Sequence, residues 1–389
     1  MQIKTTSLAM VFAIAAGLVA CSNDQTIEQD LNASSTISYT AQAATSGRAA
    51  AIYNNTNVPS SFYVWATFTD ATKSSTPIVY FNNDVVTKSG STYQGTGTQY
   101  WTAKPMSFYA IAGISATSDI TNWSWGNTYT TPSFGYTLKT ATANQQDLMY
   151  ATNINISKPT NGIVPLNFRH ALSQIAFKVK VDHPDLYVNI KNITVNNVSC
   201  TGVLTLPNAN TSTNVGTSAT GYAEGTTLAT WTTSGQGDYS ISFAPTGQTY
   251  ATVKYNETLA GNDVMMLLPG DYSASKWATG KAPSDTEVYF AIECDIYHKA
   301  GDATQTAAAG TSLDVALWQG STTKLILIPA SLVWQPGRKY TYTFVFGKGN
   351  GGYDSENPTN PVLDLIEYTW TSDEWIETSG TDVDMKTNS

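Results

Sequence analysis

From Gln174 the chain reads Gln-Ile-Ala-Phe-Lys-Val-Lys-Val, so that Ile175, Phe177, Val179 and Val181 alternate with Gln174, Ala176, Lys178 and Lys180. A period of two belongs to a strand with one packed face and one wet face; a helix would return its apolar positions every third or fourth residue. A helical phase survives only over Ala171 to Phe177. The β-branched and aromatic residues and Pro184 just beyond favour the strand. The rest of the chain is arranged around it.

Upstream, Phe62, Val64, Ala66 and Phe68 share one face of a strand over Ser61 to Phe68, and Tyr100 to Ala112 breaks at Pro105 before resuming with Met106, Phe108 and Ala110. Asp147 to Ala151 and Gly162 to Phe168 lead into the organising strand, which is expected to close a first domain spanning residues 49–184. A second domain is expected over 185–389. There Leu186, Val188 and Ile190 share one phase and Ile193 and Val195 the other, which predicts a bulge near Lys191 or Asn192. Further strands are expected over Tyr239 to Phe243, Ala251 to Tyr255, Val288 to Tyr297 and Lys339 to Phe346, with a doubly covered run over Lys324 to Ile328. Pro207 to Gly237, rich in Thr, Asn, Ser, Ala and Gly, reads as a long surface excursion. No helical pattern exceeds a turn or two. The physical reading is all-β, two β-sandwich domains in series.

The amino terminus reads as an export signal. Residues 1–20 carry Lys4 and an apolar run from Leu8 to Ala20, too short to span a bilayer, and Leu18-Val19-Ala20-Cys21 matches a bacterial lipobox. Cys21 is therefore the candidate lipidation site, and its acyl chains would supply the membrane contact. Residues 21–48 read as a tether or propeptide with room for one short strand near Ile37 and Tyr39. Arg48 stands there among small residues, followed by Ala49, whereas the other arginines, Arg169 and Arg338, border expected strands. That makes the Arg48–Ala49 bond the candidate processing site, against the plainer reading of one solvated charge in a linker. Cys200 and Cys294 are the remaining cysteines; an oxidising envelope allows a bridge, while the phase of Cys294 with Phe290, Ile292 and Ile296 suits a buried free thiol.

Several functions find no footing. With a formal charge of −9 and only 13% charged residues the chain has no basic stripe for nucleic acid. His170, His183 and His298 are far apart, so neither a metal nor any other cofactor is expected. Nucleotide, hydrolase and zinc-protease motifs are absent, and pairs such as Asp354 with Glu356 or Asp373 with Glu374 read as solvated loop charges in a non-enzyme. Trp123, Trp125 and Tyr129 in polar surroundings suit either a sugar-stacking surface or a small core beneath a loop. The sugar option defines the alternative function, a glycan-binding surface lipoprotein.

A phenylalanine followed by His170-Ala171-Leu172-Ser173 and an alternating strand resembles the signature segment of the fimbrillin family, the Bacteroides-type lipoprotein pilins. Met266-Leu267-Leu268-Pro269, then Trp334-Gln335-Pro336-Gly337 with the strand after it, and a late Ile366 to Trp375 segment follow in the same order. The resemblance implies two transthyretin-like sandwiches, export to the outer membrane, arginine-directed maturation, and assembly with other pilin subunits by strand exchange into an adhesive fimbria. It makes the C-terminal segment the candidate donor strand, with Val362, Ile366, Tyr368, Trp370 and Trp375 as its apolar residues.

Overall fold

The computed structural model describes residues 36–43, 58–211, 228–299, 314–348, 352–359, 361–363 and 366–374. These are strands and connecting turns, and such helical residues as occur are single 3-10 turns, for example Thr117–Asp119. The chain is all-β, as its alternation and composition require.

The N-terminal portion closes on itself. β1 (Ser38–Ala43), β2 (Ser61–Phe68), β3 (Ile78–Ser89), β4 (Thr92–Gly95) and β5 (Met106–Ala112) combine with β8 (Met149–Ile156) and β9 (Ile163–His170) into a seven-stranded barrel ordered β1-β4-β3-β2-β5-β8-β9. Alternation supplies its interior: Phe62, Val64, Ala66 and Phe68 from β2 meet Phe108, Ala110, Val164, Leu166 and Phe168 in one buried cluster. The closed ring differs from the open sandwich expected here. It closes because β1, from the stretch read as tether, fills the gap between β4 and β9.

β6 (Ile120–Ser124) pairs with β7 (Ser133–Thr137) outside the barrel, and β7 pairs with β12 (Thr201–Thr205), which in turn carries β13 (Thr230–Ser234). Part of the excursion expected over Pro207 to Gly237 is thus the edge strand β13, and residues 212–227 lie outside the described set.

β10 (Ser173–Val181) is the alternating strand, and its partners correct the expected boundary. It pairs in parallel with β23 (Arg338–Phe346), and on its other side antiparallel with β16 (Thr258–Ala260) and β17 (Met265–Leu267), so it belongs to a sheet of the later strands. Facing that sheet is a larger one. It comprises β11 (Leu186–Val198), β14 (Gly237–Ser242), β15 (Ala251–Lys254), β19 (Tyr289–His298), β20 (Val315–Gln319), β21 (Ile326–Pro329), β24 (Gly352–Asp354) and β25 (Pro361–Leu363). The ribbon of β18 (Gly270–Asp271) and β22 (Val333–Trp334) stands apart, and β26 (Ile366–Glu374) edges the β10 sheet. The predicted bulge is present as a register shift between Ile190 and Asn192.

Between these two sheets Phe290 meets Phe177 and Phe344 edge-on at 5.6 and 5.1 Å. Edge-to-face contacts of this kind add roughly 0.5–1.5 kcal/mol each beyond burial. The core runs on to the outer face of the barrel through Phe134, Tyr136 and Tyr109. The chain crosses from barrel to sandwich at Ala171 and Leu172, both buried. There Ala171 N–H donates to Leu148 O, Gly337 N–H donates to Leu172 O, and the Trp231 indole donates to Ala171 O.

Candidate functional site

β1 is the element whose position most constrains function. Ser38 to Ala43 runs parallel to Ile163 to Phe168 of β9, while Ser38 and Tyr39 pair antiparallel with Gln94 and Tyr93 of β4. Ile37 N–H donates to Gln99 O at 2.8 Å and Thr36 bridges to Tyr100. Ile37 and Tyr39 are buried inside the barrel, where the Tyr39 ring stands edge-on to Phe62 at 6.2 Å and Phe108 at 6.1 Å. Residues 36–43 of a nominal linker thus supply both hydrogen bonds and core.

The seat of β1 contains an incongruous carboxylate. Asp84 of β3 pairs with Val64, and since opposite residues share a face, both point inward. Asp84 Oδ1 accepts from the Thr96 hydroxyl at 3.2 Å and weakly from Gly97 N–H at 3.5 Å; Oδ2 is buried without a donor, as is the Tyr39 hydroxyl. Burial raises the Asp84 carboxyl above its ordinary range. Burial, then the nearby Asp84 charge, raises the Tyr39 phenol. Gly95 leaves room for this carboxylate, because a Cβ there would overlap it.

The hairpin carrying Asp84 and Gly95 is absent from the sequence reading, although its signal is present. Gly90-Ser91 is a two-residue loop between Ser89 and Thr92, with Gly90 at a φ of 63°.

The C-terminal candidates are divided. β26 pairs antiparallel with β23 from Arg338↔Glu374 to Phe346↔Ile366, placing Tyr368 opposite Phe344 and Trp370 opposite Tyr342. Trp370 is 38% exposed. Val362 lies instead on β25, at the edge of the other sheet. Trp375, Cys21, Arg48 and Ala49 lie outside the described residues. Of the other arginines, Arg169 is buried and Arg338 is half-buried on β23.

Cys200 and Cys294 are free, and Cys294 is buried with its thiol pushed up by desolvation. His170 bonds Asp147 through Nδ1 at 2.8 Å, deep in the protein. Trp123 belongs to the core reading: it stacks on Trp65 at 4.1 Å and lies parallel to Phe134 at 6.0 Å.

The fimbrillin-like family profile matches residues 47–361. The chain belongs to the fimbrillin-like family. None of the curated proteins matches it. Among solved structures, a fimbrial protein from Bacteroides vulgatus is 16% identical with a TM-score of 0.50, covering 87% of this chain and 99% of its own. The tip fimbrial protein Mfa3 from Porphyromonas gingivalis, with C-terminal truncation, is 12% identical with a TM-score of 0.38 over 87% and 99% of the two chains. The β1 seam is thus a feature of a fimbrillin-like chain.

Proposed function

We propose that this protein is a structural subunit of a cell-surface fimbria serving adhesion, without enzymatic activity and without a cofactor. It is exported as a lipoprotein on Cys21, cut after Arg48, and joined to other subunits by strand exchange. One observation carries the reading: the strand just before Arg48 is an integral stave of the barrel. Arg48 lies in sequence between β1 and β2, so cleavage there would sever β1 and the lipidated Cys21 from the body in one step.

Loss of β1 would leave β4-β3-β2-β5-β8-β9 as an open sheet with unpaired backbone on β4 and β9 and an apolar interior between them, a template for an incoming strand. This also relates the closed barrel to the transthyretin-like sandwich that the family resemblance implies, the sandwich being the state without β1. The donor in this reading is the C-terminal segment of another subunit, with Ile366, Tyr368, Trp370 and Trp375, and Val362 at its base. The membrane contact through Cys21 is temporary, and the mature protein resides in the fimbrium at the outer membrane surface. The glycan-binding alternative is weaker because Trp123, one of its three rings, is stacked on Trp65 and packed against the core.

N-terminal sequencing of protein sheared from cells tests the maturation step. Assembled fibres whose subunits begin at Ala49 are expected; assembled fibres beginning at lipidated Cys21 would overturn it. Incorporation of a palmitate analogue should disappear in Cys21→Ala, and persistence would remove the lipoprotein assignment.

A further inference from the structure

The seam that β1 fills is not fully complementary to β1. Every other inward residue around it is apolar or satisfied in kind: Tyr93 donates its hydroxyl to Pro59 O at 3.0 Å, and Trp101 its indole N–H to Gly162 O at 2.8 Å. Where β1 meets the barrel, Asp84 Oδ2 and the Tyr39 hydroxyl are buried without a hydrogen-bond partner, one an acceptor and the other a donor. Buried groups left in that condition are costly, and a carboxylate more so than a neutral group. At this end of the barrel β1 brings only Ile37 and the unpaired phenol. Gly95, meanwhile, keeps open the space into which the carboxylate leans.

We propose that Asp84 is the specificity determinant of the β1 groove: it selects a replacing strand whose inward donor meets Oδ2, a bond that the Tyr39 hydroxyl of β1 does not make, and so leaves β1 an imperfect occupant. The proposal rests on the strand-exchange reading and names what that reading leaves open, the chemistry by which the groove distinguishes one strand from another. The occupant assigned is the Ile366–Glu374 segment of a second copy. Its apolar phase, Ile366, Tyr368 and Trp370, suits an apolar groove while offering a phenol hydroxyl and an indole N–H to the waiting carboxylate. A hydrogen bond to an ionised acceptor in a buried site is the strong kind, and leaving it unmade is the corresponding penalty for a wholly apolar strand.

The full chain, nicked after Arg48 by an arginine-specific protease, is titrated with a fluorescent peptide of residues 366–374. A second peptide carries Tyr368→Phe and Trp370→Phe, and both are measured on wild type and on Asp84→Leu. The readout is the coupling between peptide and protein changes, which cancels the loss of aromatic area common to both proteins. A coupling of roughly tenfold or more in affinity is expected, the size of one charge-assisted hydrogen bond. If both peptides enter the groove with no coupling, Asp84 does not select and the proposal is overturned. If neither peptide displaces β1 from any form, the strand-exchange reading itself fails and takes this proposal with it. Should Asp84→Leu not fold, the same cycle run with Asp84→Asn, which keeps the shape and removes the charge, should still show coupling, and its absence there overturns the proposal as well.

Discussion

β1 and β26 are the first and last strands among the described residues, yet they are held in opposite ways. β26 has the longer continuous register, nine pairs with β23, but among the described residues on one flank only, and its Trp370 is partly in solvent. β1 is shorter, is hydrogen-bonded on both flanks, and carries Ile37 and Tyr39 into a sealed interior. The contrast teaches that ladder length does not measure how firmly a strand is integrated. An edge strand can fray and leave a usable sheet, whereas a stave removed from a barrel leaves two unpaired edges and an opened core.

The largest test of that contrast is a pair of truncations. Tyr39→Ala should cost about 3–5 kcal/mol, the range for removing a buried ring, while Trp370→Ala should cost about 1 kcal/mol or less. Denaturant unfolding of both variants gives the two numbers. Similar losses would break the comparison. Tyr39→Phe sharpens it, because deleting a buried hydroxyl that has no partner should be neutral or stabilising, not destabilising.

Next in size is Gly95→Ala, expected to destabilise by about 1–3 kcal/mol because the added Cβ overlaps the Asp84 carboxylate. The same measurement combined with Asp84→Ala should show the cost largely removed. If the penalty remains in the double variant, the glycine is needed for some other reason.

Much of this architecture was legible because alternation is a local signal. β2, β10, β19 and β23 each show it, and the bulge in β11 is visible as a change of phase at Asn192. Pairing over distance is another matter: nothing in Gln174 to Val181 reveals that its neighbour is Lys339 to Phe346. The seam was half legible. Ile37 and Tyr39 stood out as a short strand in a polar tether, but Asp84 sits in Asn82-Asn83-Asp84, which reads as a turn, and its inward direction depends on the irregular register opposite Val64 and Ala66.

Amide hydrogen exchange places a smaller effect on the same axis. Amides in β26 should exchange through local fraying before those of β1, whose opening requires disruption of the barrel. Equal protection in the two strands would mean that the exposed edge is as firmly held as the stave.

The smallest expected effect is one of pH, and it separates the two strands by mechanism. Desolvation raises the Asp84 carboxyl above its ordinary 3.8, the bonds from Gly97 and Thr96 offsetting this only in part. The folded barrel therefore binds the Asp84 proton more tightly than the unfolded chain does, and its contribution to stability is fully present below 3.8 and lost as pH rises through the raised folded value. The phenols of Tyr39, Tyr80 and Tyr93 are all raised, mainly by burial, and stay neutral throughout that window. Protection of β1 amides, corrected for intrinsic exchange, should accordingly fall modestly as pH rises from below 3.8 through the raised folded value. In Asp84→Asn that slope should vanish. The corresponding amides of β26, remote from Asp84 in the fold, should show the same slope in both proteins. A β1 slope that survives in Asp84→Asn would trace the pH response to another group and leave Asp84 without a measurable hold on the strand it faces.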